Sequence, residues 1–237
     1  MGALTMNVRS ATLLLPLLVG TWVAASCGDE ATTSPTTTPT NPPTTPIGEA
    51  AVQVVANGCR EAEVHGAGLM VGDGKVATVA HVVAGASSVE VRGPHGSGPA
   101  TVVYFDPVLD VAVLKVDPEL ASPIPIGSAA AGDDGTVIVY RDDAPVELPA
   151  HVERLVNIRT ADIYGDGKHI RPGYELGLDI KAGDSGAVVV VDDRAVALVW
   201  ATSRQADARA WAMRTSLVAD HLTDDTKVDS GKCADSA

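Results

Sequence analysis

The stretch KAGDSGAVVVV, Lys181 to Val191, decides how the rest of the chain is read. Gly183 and Gly186 bracket Asp184-Ser185, and an apolar run of Ala and Val follows at once. Glycine lets the backbone turn sharply, so the Ser185 hydroxyl is expected at an exposed corner, with main-chain N–H groups aimed at one point. The valine run then reads as a buried strand. Alone, this string could be an ordinary glycine turn, and partners must be sought elsewhere.

Two other contexts supply them. In VATVAHVVAG (76–85), His81 ends an apolar strand, where an imidazole is costly unless hydrogen-bonded. In DPVLDVAVLKV (106–116), Asp110 heads another apolar strand, and a buried carboxylate needs donors, for which an imidazole N–H is well suited. A lone histidine among apolar residues is more often structural than catalytic, and an Asp before a strand is often a cap. The order His81, Asp110, Ser185 shifts the reading toward a nucleophile, its base and an orienting acid at a cleft between two halves.

The surrounding pattern predicts an all-β fold. Short Val-rich runs separated by Gly, Pro and Asp occur at 51–56, 67–72, 75–80, 88–92, 101–105 and 111–116. A second set follows at 136–140, 146–158, 187–191, 195–201 and 210–214, with Asp192-Asp193 as a hairpin turn. The Pro/Ala/Gly/Asp-rich segment 117–135 divides the sets, giving a first half over about 49–125 and a second over about 130–225. Only Thr215–Leu222 reads as helix, with Thr215 or Ser216 as its cap.

Composition narrows the function. Seventeen Lys+Arg against 30 Asp+Glu give a net charge of −13, and only 3% of residues are aromatic, which argues against nucleic-acid binding. No HExxH or close carboxylate pairing accompanies the remaining histidines, so no metal or cofactor is expected.

The N-terminus reads as an export signal over residues 1–27, with an apolar stretch of 13 residues at Ala11–Val23. Ala24-Ala25-Ser26-Cys27 is similar to a lipobox, which would make Cys27 a lipidation site; a plain secretory signal is the alternative. Residues 28–48 form a linker whose Ala31–Ile47 segment holds eight Thr and five Pro, a composition that stays extended. With Cys27 lipidated, Cys59 and Cys233 remain as a candidate disulfide in an oxidising compartment, two unrelated thiols being the alternative.

AHVVAG around His81, YFDPVLDVAVLKV around Asp110, ADIYGD (161–166), GDSG at Ser185, and cysteines at 59 and 233 together resemble the trypsin/chymotrypsin-like serine proteases, in their bacterial HtrA-like branch. The resemblance covers roughly residues 50–235. It implies two antiparallel six-stranded barrels in a protease domain over 49–237, a short C-terminal helix, and a triad of His81, Asp110 and Ser185. It also implies an oxyanion hole from Gly183 and Ser185, a Cys59–Cys233 bridge, and a buried ionic contact for Asp184 with a cation the sequence does not identify. The family's specificity pocket falls on Trp200, Ala201 and Ala210, where methyl groups replace glycine hydrogens and favour a small or medium apolar substrate residue. Asp179 stands where trypsin-like enzymes have the base of that pocket, a correspondence given little weight. The expected protein is a monomeric serine endopeptidase of the cell envelope or secreted, acting on protein or peptide substrates and touching a membrane only through Cys27. A catalytically idle binding protein on the same fold is the alternative. No PDZ domain is expected up to Ala237.

Overall fold

A computed structural model describes residues 46–141, 143–203 and 208–234. The export signal, Cys27 and linker residues 28–45 lie outside the described residues. A short helix, α1 (Pro46–Ala50), begins inside the expected linker and leads into the first strand.

Twelve strands form two sheets of six. The first holds β1 (Ala51–Asn57), β2 (Val64–Gly72), β3 (Lys75–Thr78), β4 (Ser88–Gly93), β5 (Gly96–Asp106) and β6 (Val111–Lys115), closed in the order β1-β2-β3-β6-β5-β4. The second holds β7 (Asp134–Arg141), β8 (Ala144–Thr160), β9 (His169–Gly177), β10 (Val188–Val191), β11 (Arg194–Thr202) and β12 (Arg209–Arg214), closed as β10-β11-β12-β9-β8-β7. All named pairings are antiparallel, and closure leaves neither sheet a free edge.

The continuous valines of β10 have a packing reason. Successive strand side chains point to opposite faces. Val188 and Val190 join the core cluster built mainly from the first barrel, while Val189 and Val191 fill the interior of the second. A strand apolar on both faces reads as an unbroken run rather than an alternation.

Three elements differ from the sequence expectation. β9 was not anticipated, because Pro172 and Gly173 interrupt its run. The run 75–80 stops at Thr78, and Ala80–Val83 forms a one-turn helix, α2. The C-terminal helix is a 3-10 helix over Thr215–His221, entered from Arg214; Thr215 caps nothing, its hydroxyl donating instead to Ala195 O at 2.6 Å. At Asp192-Asp193 both residues take positive φ (49° and 56°), as a two-residue hairpin turn requires.

Cys59 and Cys233 are bridged, with Cα atoms 5.4 Å apart across 174 positions. On the loop-entropy model such a closure is worth at most about 5 kcal/mol. The bridge sits against Gly85, just past α2: a Cβ there would lie 2.6 Å from both Cys59 Sγ and Cys233 N. Gly85 N–H also donates to Ser230 O at 3.0 Å, so the C-terminal segment is fastened beside the His81 helix. Among the described residues no helix is long and apolar enough to cross a membrane.

Candidate active site

His81 stands on α2, immediately after β3, with its neighbours Ala80, Val82 and Val83 buried. That packing fixes the helix and turns the ring toward Asp110. The Asp110 carboxylate meets two donors of this one residue: His81 N–H at 2.9 Å on Oδ1, and Nδ1, shared between Oδ2 at 2.9 Å and Oδ1 at 3.1 Å. Asp110 is only 2% exposed. A buried carboxylate on Nδ1 places the ring proton there and leaves Nε2 as the proton acceptor.

Asp110 is held in a left-handed backbone conformation (φ 58°). The cause lies four residues earlier. Asp106 Oδ1 accepts from Val108 and Leu109 N–H at 2.8 Å each, an Asx turn that ends β5 and delivers Asp110 to the head of β6.

Ser185 stands in the loop just before β10 and is tied to the first barrel. Its carbonyl accepts from Ala67 N–H on β2 at 2.7 Å. Gly66 lies between the two halves: a Cβ added there would come within 2.7 Å of the Val82 side chain and 2.9 Å of Ser185 O. Gly186 (φ 87°) is packed still more closely, its absent Cβ position lying 2.1 Å from Ala67 O. Gly183 is also left-handed (φ 95°), with open space where a side chain would stand. Among the described residues, neither Gly183 N–H nor Ser185 N–H donates to another backbone group, and the Ser185 hydroxyl is not bonded to the His81 ring. Such contacts commonly tighten only when substrate binds.

Asp184 is 1% exposed, and its cation is Arg141 on β7, with Nη2 at 2.9 Å from Oδ2. The hydrogen bond to Asp184 raises the Arg141 pKa further above its ordinary value. Lys181 N–H donates to the same carboxylate oxygen at 2.8 Å, and Arg141 Nη2 also reaches Asp179 O at 3.4 Å. The loop from Asp179 to Gly186 is therefore pinned from β7. A cavity of about 430 Å³ opens beside it, walled by Gln53 and His65 of the first barrel and Tyr140, Lys181 and Gly183 of the second. Burial pushes the Tyr140 phenol up to about 12, so it stays protonated and donates to Ala51 O at 2.9 Å across the barrels.

Trp200 and Ala201 are consecutive on β11, and Ala210 lies on the neighbouring β12, paired with Thr202. Trp200 falls at a bulge in β11, packs against the first-barrel cluster, and lies under the Arg171 guanidinium at 4.8 Å. Ala201 is half-buried opposite Trp211, whereas Ala210 is fully buried in the second-barrel core with Leu178 and Ile180. Asp179 is exposed.

Two site residues escaped the sequence reading. The family resemblance implied a cation for Asp184, but nothing local marked Arg141. Arg171 lies on β9, the strand Pro172 and Gly173 obscured. Its Nη1 stands 3.6 Å from Asp110 Oδ2.

Two closed six-stranded barrels, with a carboxylate-held histidine on one and a glycine-flanked serine corner on the other, define a trypsin-like peptidase domain. The chain belongs to that family: the trypsin-like peptidase domain model matches residues 66–198. Among individual proteins it is similar to serine protease Rv3671c of Mycobacterium tuberculosis, 35% identical over 133 residues, which are 54% of this chain and 33% of the relative. The matched segment thus spans about a third of the length of that relative. The solved active form of the Rv3671c protease superposes with a TM-score of 0.73 at 27% identity, covering 80% of this chain and 87% of that one. A serine endoprotease from Yersinia pestis shares the fold at 21% identity and a TM-score of 0.61, over 74% of this chain and 63% of its own.

Proposed function

We propose that the chain is an exported serine endopeptidase that cleaves protein or peptide substrates through a triad of His81, Asp110 and Ser185. Ser185 Oγ attacks the scissile carbonyl while His81 Nε2 takes its proton and later passes it to the leaving amine. Asp110 holds the imidazole tautomer and stabilises the imidazolium. The N–H groups of Gly183 and Ser185 receive the developing oxyanion. The observation that carries this reading is the His81–Asp110 pair, in which one nearly inaccessible carboxylate accepts both the backbone and the ring nitrogen of the same histidine. A binding role alone has no need of that arrangement beside a glycine-flanked serine.

Ala201 and Ala210, in place of glycine, favour a small or medium apolar residue before the cleaved bond. Residues 1–27 direct export, Cys27 carries the lipid anchor, and residues 28–48 space the domain 49–237 from the membrane. The test is an active-site fluorophosphonate probe on the purified protein. Labelling of the wild type that disappears in Ser185→Ala is expected. A wild-type protein that fails to label, or a Ser185→Ala variant that labels equally, would return the chain to the idle binding role.

A further inference from the structure

We propose that Arg171 is a positioning residue for the triad: carried on the second barrel, it holds Asp110 of the first and moderates the charge that His81 experiences. The inference rests on the triad reading above and goes beyond it, since the guanidinium acts through Asp110.

Arg171 is 2% exposed, and its guanidinium meets polar or aromatic groups on several sides. Nε donates to Val108 O at 2.8 Å and Nη2 to Ala161 O at 3.1 Å. Nη1 lies 3.6 Å from Asp110 Oδ2, the oxygen that is 2.9 Å from His81 Nδ1. The cation also stacks on the Trp200 ring at 4.8 Å. Burial lowers the Arg171 pKa, opposed first by Asp110 and then by Asp162 and Asp106. A guanidinium kept at that desolvation cost is specified in direction by its planar fork, which a lysine does not reproduce. Val108 and Asp110 flank the residue that ends the Asx turn, so Arg171 grips the turn at both sides.

The electrostatic consequence follows from distance. The two contacts through Oδ2, 3.6 and 2.9 Å end to end, place the guanidinium within about 6.5 Å of the His81 ring. The other charged groups near the pair are Asp106 at the end of β5 and Asp162 in the loop after β8, with His169 and Lys232 beyond Asp162. Arg60 lines the small hollow beside His81. Among the described residues, Arg171 is the only buried cation in contact with Asp110. Removing it leaves the carboxylates unopposed, so the His81–Asp110 pair holds its proton to higher pH.

The experiment measures the second-order rate of fluorophosphonate labelling from pH 5 to 9 on the full chain, with thermal unfolding alongside. Arg171→Met is expected to move the acid limb up by about one pH unit, read as roughly tenfold slower labelling on that limb. Arg171→Lys keeps the charge and is expected to keep the limb within a few tenths of a unit, although it too unfolds at lower temperature. Should Arg171→Met not fold, Arg171→Gln carries the same comparison with a donor retained for the carbonyls. A limb unmoved in the neutral variants, with only the unfolding temperature lowered, would reduce Arg171 to a strut and overturn the proposal. A wild type that labels at no pH would instead refute the triad reading, and this inference with it.

Discussion

Arg141→Met tests whether the catalytic corner is shaped by its ion pair. Asp184 has a side chain 1% exposed and that of Arg141 is 26% exposed, with 2.9 Å between them. Deleting the guanidinium leaves a buried carboxylate with the Lys181 N–H as its remaining donor in the loop. Breaking a buried pair in this way costs about 3–5 kcal/mol, and the partial exposure of Arg141 puts the value near the lower end, about 3 kcal/mol. For a domain of this size, such a loss lowers the unfolding temperature by about 6–12 °C. The same carboxylate ties the loop that carries Gly183, so on the proposed oxyanion role of Gly183 loosening that loop is expected to slow fluorophosphonate labelling roughly 100-fold at a temperature where the variant is still folded. The double variant Arg141→Met/Asp184→Asn separates the two effects. It buries no charge and should recover most of the stability, yet it should label as slowly as the single variant. If Arg141→Met melts within about 1 °C of wild type and labels at the wild-type rate, the pair does not organise the loop.

In Gly186→Ala the new methyl would lie 2.1 Å from Ala67 O and 2.6 Å from Thr78 Oγ1 at a φ of 87°, so a loss of about 3 kcal/mol in urea unfolding and loss of probe labelling are expected. Gly132→Ala, at a φ of 94° with nothing nearby, should cost only about 1 kcal/mol and leave labelling intact. The Asp225 carboxylate is held below its ordinary value of 3.8 by hydrogen bonds from Lys115 and Lys75. Its contribution is therefore present above about pH 4 and lost as acidification passes through the lowered folded value. Asp225→Asn should unfold with a shallower pH dependence below pH 4 than wild type.

Much of the architecture was legible because burial wrote it into short valine runs. Eleven strands carry short apolar runs, most of them with valine, and His81 and Asp110 stood out as polar residues beside such runs, with Ser185 between glycines ahead of one. The twelfth strand did not, since HIRPGYELG hides its pattern behind Pro172 and Gly173, and its stability comes from the β8 and β12 partners on either side. Arg171 was hidden with it. Arg141 was hidden differently: the need for a cation near Asp184 could be read, but which of the basic residues answers it depends on a contact 43 positions away. The helix over Thr215–His221 was recognised as a helical segment but not as 3-10, because Thr215 is recruited by Ala195 O instead of by its own N-terminus.

The split allegiance of the β10 valines bears on when this protein becomes able to cut. His81 and Asp110 both belong to the first barrel, with Arg171 of β9 reaching Asp110 from the second. Ser185 is different, because the strand that follows it is a wall common to two interiors, with Val188 and Val190 in one and Val189 and Val191 in the other. Its corner cannot settle until both interiors have condensed, a step made slow by contacts far apart in sequence. On the proposed triad, a chain with only its first half folded would hold a base and an acid not yet steadied by Arg171, and no placed nucleophile. On the proposed endopeptidase reading, the capacity to hydrolyse then arrives only once the second interior has closed against the first.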